Sequence, residues 1–280
     1  MSSGTAISRI DVRYLFLALL IVSAIPIMSP MGLPMVVSPL TKKSFNFIEG
    51  LPAGSVVILD AQHSTGYGPE LGTQYAAVFK HLLARPLKVV LVAFGAEGPQ
   101  LYAMTLEGST ISGPPIDPNR YGKKYGTDYV WLGYIPGTVT AFAAFASNSW
   151  LTKTDAAGTA LEQLPIMQNC KTVKDWALVV SVSGGQFEQM IAQWYSAYKT
   201  PIIFGAPGVS APRLYSYIDA GQLTGMLVSI GGAAEYELLL KGPALAVSLM
   251  DVLNLAQILV VVAMIAGNAI HFIGRSKEKK

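Results

Sequence analysis

Any chemistry in this chain would come from a few polar residues placed just beyond apolar runs. Asp60 closes the run over residues 55–60, and Gln62, His63 and Ser64 follow it. Glu97 follows the run over 88–94, Tyr134 ends the run over 128–134, and Ser183 with Gly184 and Gly185 follows 176–182. Ser210 and Glu235 stand in the same way after the runs over 201–205 and 223–230. An acid, an imidazole and a hydroxyl are the parts of a hydrolytic triad. If the chain is an enzyme, the catalytic set is Asp60, His63 and Ser183. Against this, Ser183 lacks the Gly-x-Ser-x-Gly setting of a nucleophile elbow, and a serine at a strand end more often caps the next helix. The expectation is that none is catalytic, and that Asp60, His63, Glu97, Tyr134, Ser183, Ser210 and Glu235 are ligand-binding candidates.

Other chemistries find weaker footing. Asp60, His63 and Glu97 could supply a His/carboxylate metal set, but no paired-histidine motif supports them, so no metal is expected. Gly66-Tyr67-Gly68 with Gly72 comes near the dinucleotide fingerprint, one residue off its spacing and five residues after the strand. No acid ends the second strand to hold a ribose, and no GxxxxGK phosphate loop is present. No cofactor is expected. The single cysteine, Cys170, excludes a disulfide framework and has no histidine nearby in sequence. His81, near a helix C-terminus, is expected at the surface. Tyr121, Tyr125, Tyr129, Trp131 and Tyr134 cluster in sequence and would suit either packing or a contact surface.

The elements that must position these residues alternate. Six apolar runs, at 55–60, 88–94, 128–134, 176–182, 201–205 and 223–230, are continuous rather than alternating, as strands buried on both faces should be. Helical stretches at 69–84, 99–106, 138–147, 186–198, 211–220 and 233–240 lie after them. Phe187, Met190, Ile191, Trp194 and Tyr198 share one stripe of the fourth helix. The pattern predicts an α/β fold with a doubly wound, mostly parallel six-stranded sheet. In such sheets ligands bind beyond the carboxyl ends of the strands, where the candidate residues lie. Residues 108–124 and 151–175 read as long loops.

Two apolar runs flank this domain. Residues 252–274 carry no formal charge, and about 20 apolar residues at about 1.5 Å rise cross a hydrocarbon core of roughly 30 Å. The run within 14–30 has the charged start of a signal peptide but no clean small-x-small cleavage site, and its apolar character continues beyond it, so an anchor is expected. The resulting division is a tail at 1–13, a membrane helix at 14–30, a Pro-rich connector at 31–43, the α/β domain at 44–242, a second membrane helix at 246–273 and a basic tail at 274–280. Arg9 and Arg13 precede the first run and Arg275, Lys277, Lys279 and Lys280 follow the last. The positive-inside rule then predicts two passes, both termini cytoplasmic and the domain outside the cell. Asp251 is expected above the membrane, capping the helix. Asn254 and Gln257 lie deeper and predict a helix partner, in the chain's own first helix, another subunit or a second copy.

Only 13% of residues are charged, against about 25% in soluble domains. Residues 42–241 hold fourteen basic and fourteen acidic residues, which gives nucleic-acid binding no electrostatic support.

The segment Tyr121-Gly122-Lys123-Lys124-Tyr125-Gly126-Thr127-Asp128-Tyr129-Val130 with Leu132-Gly133-Tyr134, and Ala220-Gly221-Gln222-Leu223-Thr224-Gly225 with Gly232-Ala233-Ala234-Glu235-Tyr236-Glu237, resemble an uncharacterised family of prokaryotic membrane-anchored proteins. The resemblance covers nearly the whole chain. It implies a helix, an α/β domain and a second helix in the plasma membrane of a prokaryote, and no activity. The expected function is a non-enzymatic interaction or solute-sensing subunit of a membrane complex. Its partners would be the lipid bilayer, other membrane subunits and a small solute. The alternative is an outer-face hydrolase.

Overall fold

A computed structural model describes residues 12–278. Arg9, most of the predicted first tail, and Lys279 and Lys280 lie outside the described residues. The chain divides into two compact units, residues 35–246, and residues 1–34 with 247–280.

The first unit is an α/β domain built on six parallel strands: β1 (Val56–Gln62), β2 (Lys88–Ala93), β3 (Tyr129–Tyr134), β4 (Leu178–Ser183), β5 (Ile202–Ala206) and β6 (Gly225–Val228). Their order across the sheet is β3-β2-β1-β4-β5-β6, the doubly wound arrangement of Rossmann-like folds. The strands are almost entirely buried, which is why their apolar runs do not alternate. A hydrophobic layer lies on each face of the sheet. One gathers Phe94, Phe142, Phe145, Trp176, Phe187 and Trp194, and the other gathers Tyr75, Phe79, Leu82, Leu91 and Tyr236.

Between the strands run α3 (Pro69–Ala84), α4 (Gly98–Glu107), α5 (Val139–Ser147), α6 (Phe187–Met190) and α7 (Tyr215–Asp219), and α8 (Ser229–Leu239) follows β6. The boundaries of α3 match the sequence pattern. The predicted helix over 186–198 forms over 187–198, but α6 passes into a π-helical segment over Ile191–Ser196. Phe187, Met190, Ile191 and Trp194 are buried as the stripe requires, but Tyr198 is exposed. A π-turn adds residues to the turn and rotates the residues beyond it off the stripe.

Two expectations within this unit are corrected. A helix not foreseen, α2 (Pro39–Glu49), begins inside the predicted connector. Ser38 caps it, its Oγ accepting from the Thr41 N–H, and Pro39 stands at the helix start. Proline there starts a helix instead of breaking one. α2 packs closely on β6, where a Cβ on Gly225 would come within 2.2 Å of Ser44 Oγ. His81 is buried rather than on the surface. Its Nδ1 lies 2.7 Å from the Tyr236 hydroxyl and its Nε2 lies 2.9 Å from Glu49, so it ties α3 to α8 and α2.

The second unit contains the apolar helix α1 (Val12–Met28) and nearly all of α9 (Leu245–Glu278). Among the described residues one helix is long and apolar enough to cross a membrane, at Leu245–Ala269, while Val12–Met28 is shorter. Only 6% of the apolar window of the longer helix is buried, whereas a soluble core helix would be mostly covered. Asp251 is fully buried, not standing free as a cap. Its carboxylate accepts the backbone N–H groups of Met31, Gly32 and Leu33 at 2.8–2.9 Å. The left-handed Gly32, φ 63°, helps three successive amides to converge on it.

Candidate functional site

The sheet order reverses between β1 and β4. The loops leaving those strands therefore separate and open a crevice at their carboxyl ends. A cavity of about 390 Å³ occupies that position. β1 contributes Gln62 and His63, and β4 contributes Ser183, Gly184 and Gly185. Phe94 and Glu97 enter from beyond β2, Tyr134 from the end of β3, and Thr138 and Gln186 from the starts of α5 and α6.

His63 is almost fully buried. Its Nδ1 lies 3.3 Å from the Val182 carbonyl oxygen. A carbonyl only accepts, so Nδ1 carries the proton and Nε2 is a bare acceptor. That Nε2 is buried and has no hydrogen-bond partner among the described residues. Burial lowers the His63 pKa to about 4, against the opposing pull of Val182 and Glu97, so the ring is neutral at pH 7. Gln62 Nε2 donates to Gln186 Oε1 at 2.8 Å, which leaves Gln62 Oε1 buried and unpaired.

Glu97 Oε2 accepts from Thr65 through the backbone N–H at 2.7 Å and the hydroxyl at 2.6 Å. Those bonds hold its carboxyl below the usual carboxylate range. The Tyr67 hydroxyl donates to the Gly184 carbonyl at 3.1 Å. Its ring lies so close that a Cβ on Gly184 would meet it at 2.2 Å, while a Cβ on Gly185 would meet nothing within 4 Å. Two non-glycine residues of the lining hold left-handed backbones, Thr138 at φ 46° and Gln186 at φ 60°. Strain of this kind collects at ligand clamps, where the surrounding fold over-determines it.

The structure gathers four of the seven candidate residues here: His63, Glu97, Tyr134 and Ser183. Asp60 is buried beneath them in β1 and does not line the cavity. Its Oδ2 accepts from Ser181 Oγ at 2.6 Å and its Oδ1 from the Phe94 N–H at 3.1 Å. Burial outweighs those bonds and pushes the Asp60 carboxyl up to about 7. Ser210 lies in the turn after β5, its N–H donating to the Pro207 carbonyl, and Glu235 lies on α8, accepting from Ser38 Oγ at 2.6 Å.

The hydrogen bonds of Asp60, His63 and Ser183 do not connect the three. Ser183 Oγ donates to the Gly185 carbonyl and accepts from the Gly185 N–H, the local turn expected of a serine before glycines. Tyr67, Thr65 and Gln186 were not candidates on sequence. The glycines around Tyr67 read as a turn, and the backbone of Gln186 leaves no mark on residue type. Among the described residues no cluster of His, Cys, Asp or Glu forms a metal-ligand group. Burial pushes the Cys170 thiol up to about 12, which makes it a poor nucleophile. Compared with family models, curated proteins and solved structures, the chain matches none.

Proposed function

We propose that this protein is a membrane-anchored α/β domain that binds a small polar solute in the crevice between β1 and β4, as a non-enzymatic sensing or interaction subunit of a membrane complex. The carrying observation is the 390 Å³ cavity at the reversal of strand order, with the buried, unpartnered His63 Nε2 and Gln62 Oε1 in its wall. A buried acceptor without a partner costs about 1–3 kcal/mol, and a bound solute that donates to it recovers that cost. The exposed apolar helix Leu245–Ala269 supports the anchor. The basic residues at both ends support cytoplasmic termini with the domain outside. Asn254 and Gln257 support a helix partner within the bilayer. Hydrolysis by Asp60, His63 and Ser183 has less support, because no hydrogen-bond relay joins them.

Purification of the full chain in mild detergent, followed by native mass spectrometry, tests this reading. A small bound mass should accompany the wild-type protein and be lost in Gly185→Leu, which fills the cavity from a position with open space around it. Other membrane subunits, or a second copy, should co-purify with both. A lone monomer without bound mass would overturn the proposal.

A further inference from the structure

The hydrogen-bonding balance of this cavity is uneven. Some side-chain donors of the lining are engaged, Tyr67 to Gly184, Ser183 to Gly185 and Gln62 Nε2 to Gln186, while the hydroxyls of Ser64, Thr138 and Tyr134 and the Gln186 amide stand on its accessible part. Thr65, beside the lining, is engaged with Glu97. The lining's buried side-chain atoms without a partner among the described residues are both acceptors. His63 Nε2 and Gln62 Oε1 have no partner, and the two bonds to Glu97 both fall on Oε2 and leave Oε1 open. The lining holds no Lys or Arg, so a phosphate or carboxylate would meet Glu97 with no countercharge. Tyr67, Phe94 and Tyr134 add aromatic surface suited to an apolar ring face.

We infer that the cavity takes an uncharged sugar ring, with adjacent hydroxyls donating to His63 Nε2 and Glu97 and an apolar ring face against the tyrosines. This rests on the solute-binding reading and narrows it. Two sources carry that chemistry, a nucleoside and a free saccharide. In both, paired hydroxyls supply the missing donors without bringing charge into a site that lacks the means to balance it.

The full chain in mild detergent is titrated with adenosine and with methyl β-D-glucopyranoside, read by thermal unfolding and native mass spectrometry. At least one should bind, and which one identifies the source. Binding should weaken roughly ten- to a hundredfold in His63→Phe, which removes one buried acceptor, and fall also in the half-buried Glu97→Gln, whose folding does not depend on a core site. It should vanish in Gly185→Leu. If adenosine is the ligand, 2′,3′-dideoxyadenosine should bind at least as weakly as His63→Phe binds adenosine. A parallel arm incubates the protein with a small-molecule cell extract, untreated or treated with periodate to cleave vicinal diols. Loss of the bound mass after periodate supports the inference. A bound mass that survives periodate, or tighter binding of adenosine monophosphate or putrescine than of either neutral probe, overturns the sugar assignment while the solute-binding reading stands. No bound mass in any arm overturns both.

Discussion

Asp60 in the α/β unit and Asp251 in the terminal unit are both fully buried carboxylates, and the two units treat them differently. Asp60 sits inside a sheet whose backbone amides are committed to neighbouring strands, so only the Ser181 hydroxyl and the Phe94 N–H remain for it. Two donors do not offset its burial, and its carboxyl titrates near 7. Asp251 faces a segment outside regular structure, where three successive amides are free to converge on it. The same side chain is thus under-supplied where regular structure has claimed the donors and fully supplied where the backbone is irregular. The shortage continues past Asp60 to His63 and Gln62 at the end of the same strand, where unpaired acceptors face a cavity. Unmet hydrogen-bonding capacity in the α/β unit is the ground for the ligand proposed there, whereas the matched set around Asp251 ties the segment before α2 to the long helix.

The largest expected effect tests that tie. Asp251→Ala removes three hydrogen bonds to a carboxylate, together worth about 5 kcal/mol. Hydrogen exchange at the amides of Met31, Gly32 and Leu33 should accelerate by several orders of magnitude, while exchange in the sheet stays as it was. Unchanged protection at those three amides would remove Asp251 from the comparison.

The pH dependence of stability tests the other half. The Asp60 carboxyl is raised from 3.8 to about 7, so folding retains its proton. Its contribution is complete below 3.8 and is lost as pH rises to 7, a change of about 4 kcal/mol. His63 runs the opposite way. Its pKa falls from 6.5 to about 4, so its contribution is complete above 6.5 and lost as pH falls to 4, about 3 kcal/mol. Burial also lowers His81, with the same sign as His63. The two large trends oppose each other in the wild type. Asp60→Asn, which can still accept from Phe94 and donate to Ser181, should expose the histidine trend alone. Stability measured by denaturant titration should then climb by about 3 kcal/mol from pH 4 to 6.5, and a profile parallel to the wild type would show that Asp60 is ionised when folded.

Neighbouring glycines in the cavity wall sharpen the geometry. Gly184→Ala drives a Cβ into the Tyr67 ring and should cost about 2 kcal/mol, whereas Gly185→Ala should change stability by less than about 0.5 kcal/mol. Tyr67→Ala should relieve most of the Gly184→Ala cost in a double-mutant cycle. Equal effects at the two glycines would show that the wall is looser than its contacts imply. The smallest effect belongs to the apolar helix α9. Asn254→Leu and Gln257→Leu should each weaken association of the full chain with the proposed helix partner by about 0.6 kcal/mol, read by co-purification or by energy transfer between labelled copies.

Much of the architecture could be read along the chain. Six apolar strands bounded by glycine-rich loops, and α3 to its end residues, follow from burial on both faces and from helix periodicity. The features that escaped had local causes. Pro39 reads as a breaker unless Ser38 is seen to cap a helix beginning there. The stripe from Phe187 to Tyr198 assumes a constant turn that the π segment over Ile191–Ser196 does not keep. His81 looks like a helix-end surface residue until Glu49 and Tyr236, distant in sequence, close over it.

The residue types determined by themselves that this chain has a parallel α/β core, that most of its polar candidates follow the strands closely, and that residues 252–274 can form an apolar helix of membrane-spanning length. These are properties of period and composition, which local physics carries. Tertiary structure alone decided which strand ends meet. The order β3-β2-β1-β4-β5-β6 depends on non-local pairing, and it brought His63 and Ser183 to one crevice while leaving Ser210 and Glu235 outside it. It also decided protonation, since the pKa values of Asp60 and His63 depend on the groups that enclose them rather than on their neighbours in the chain.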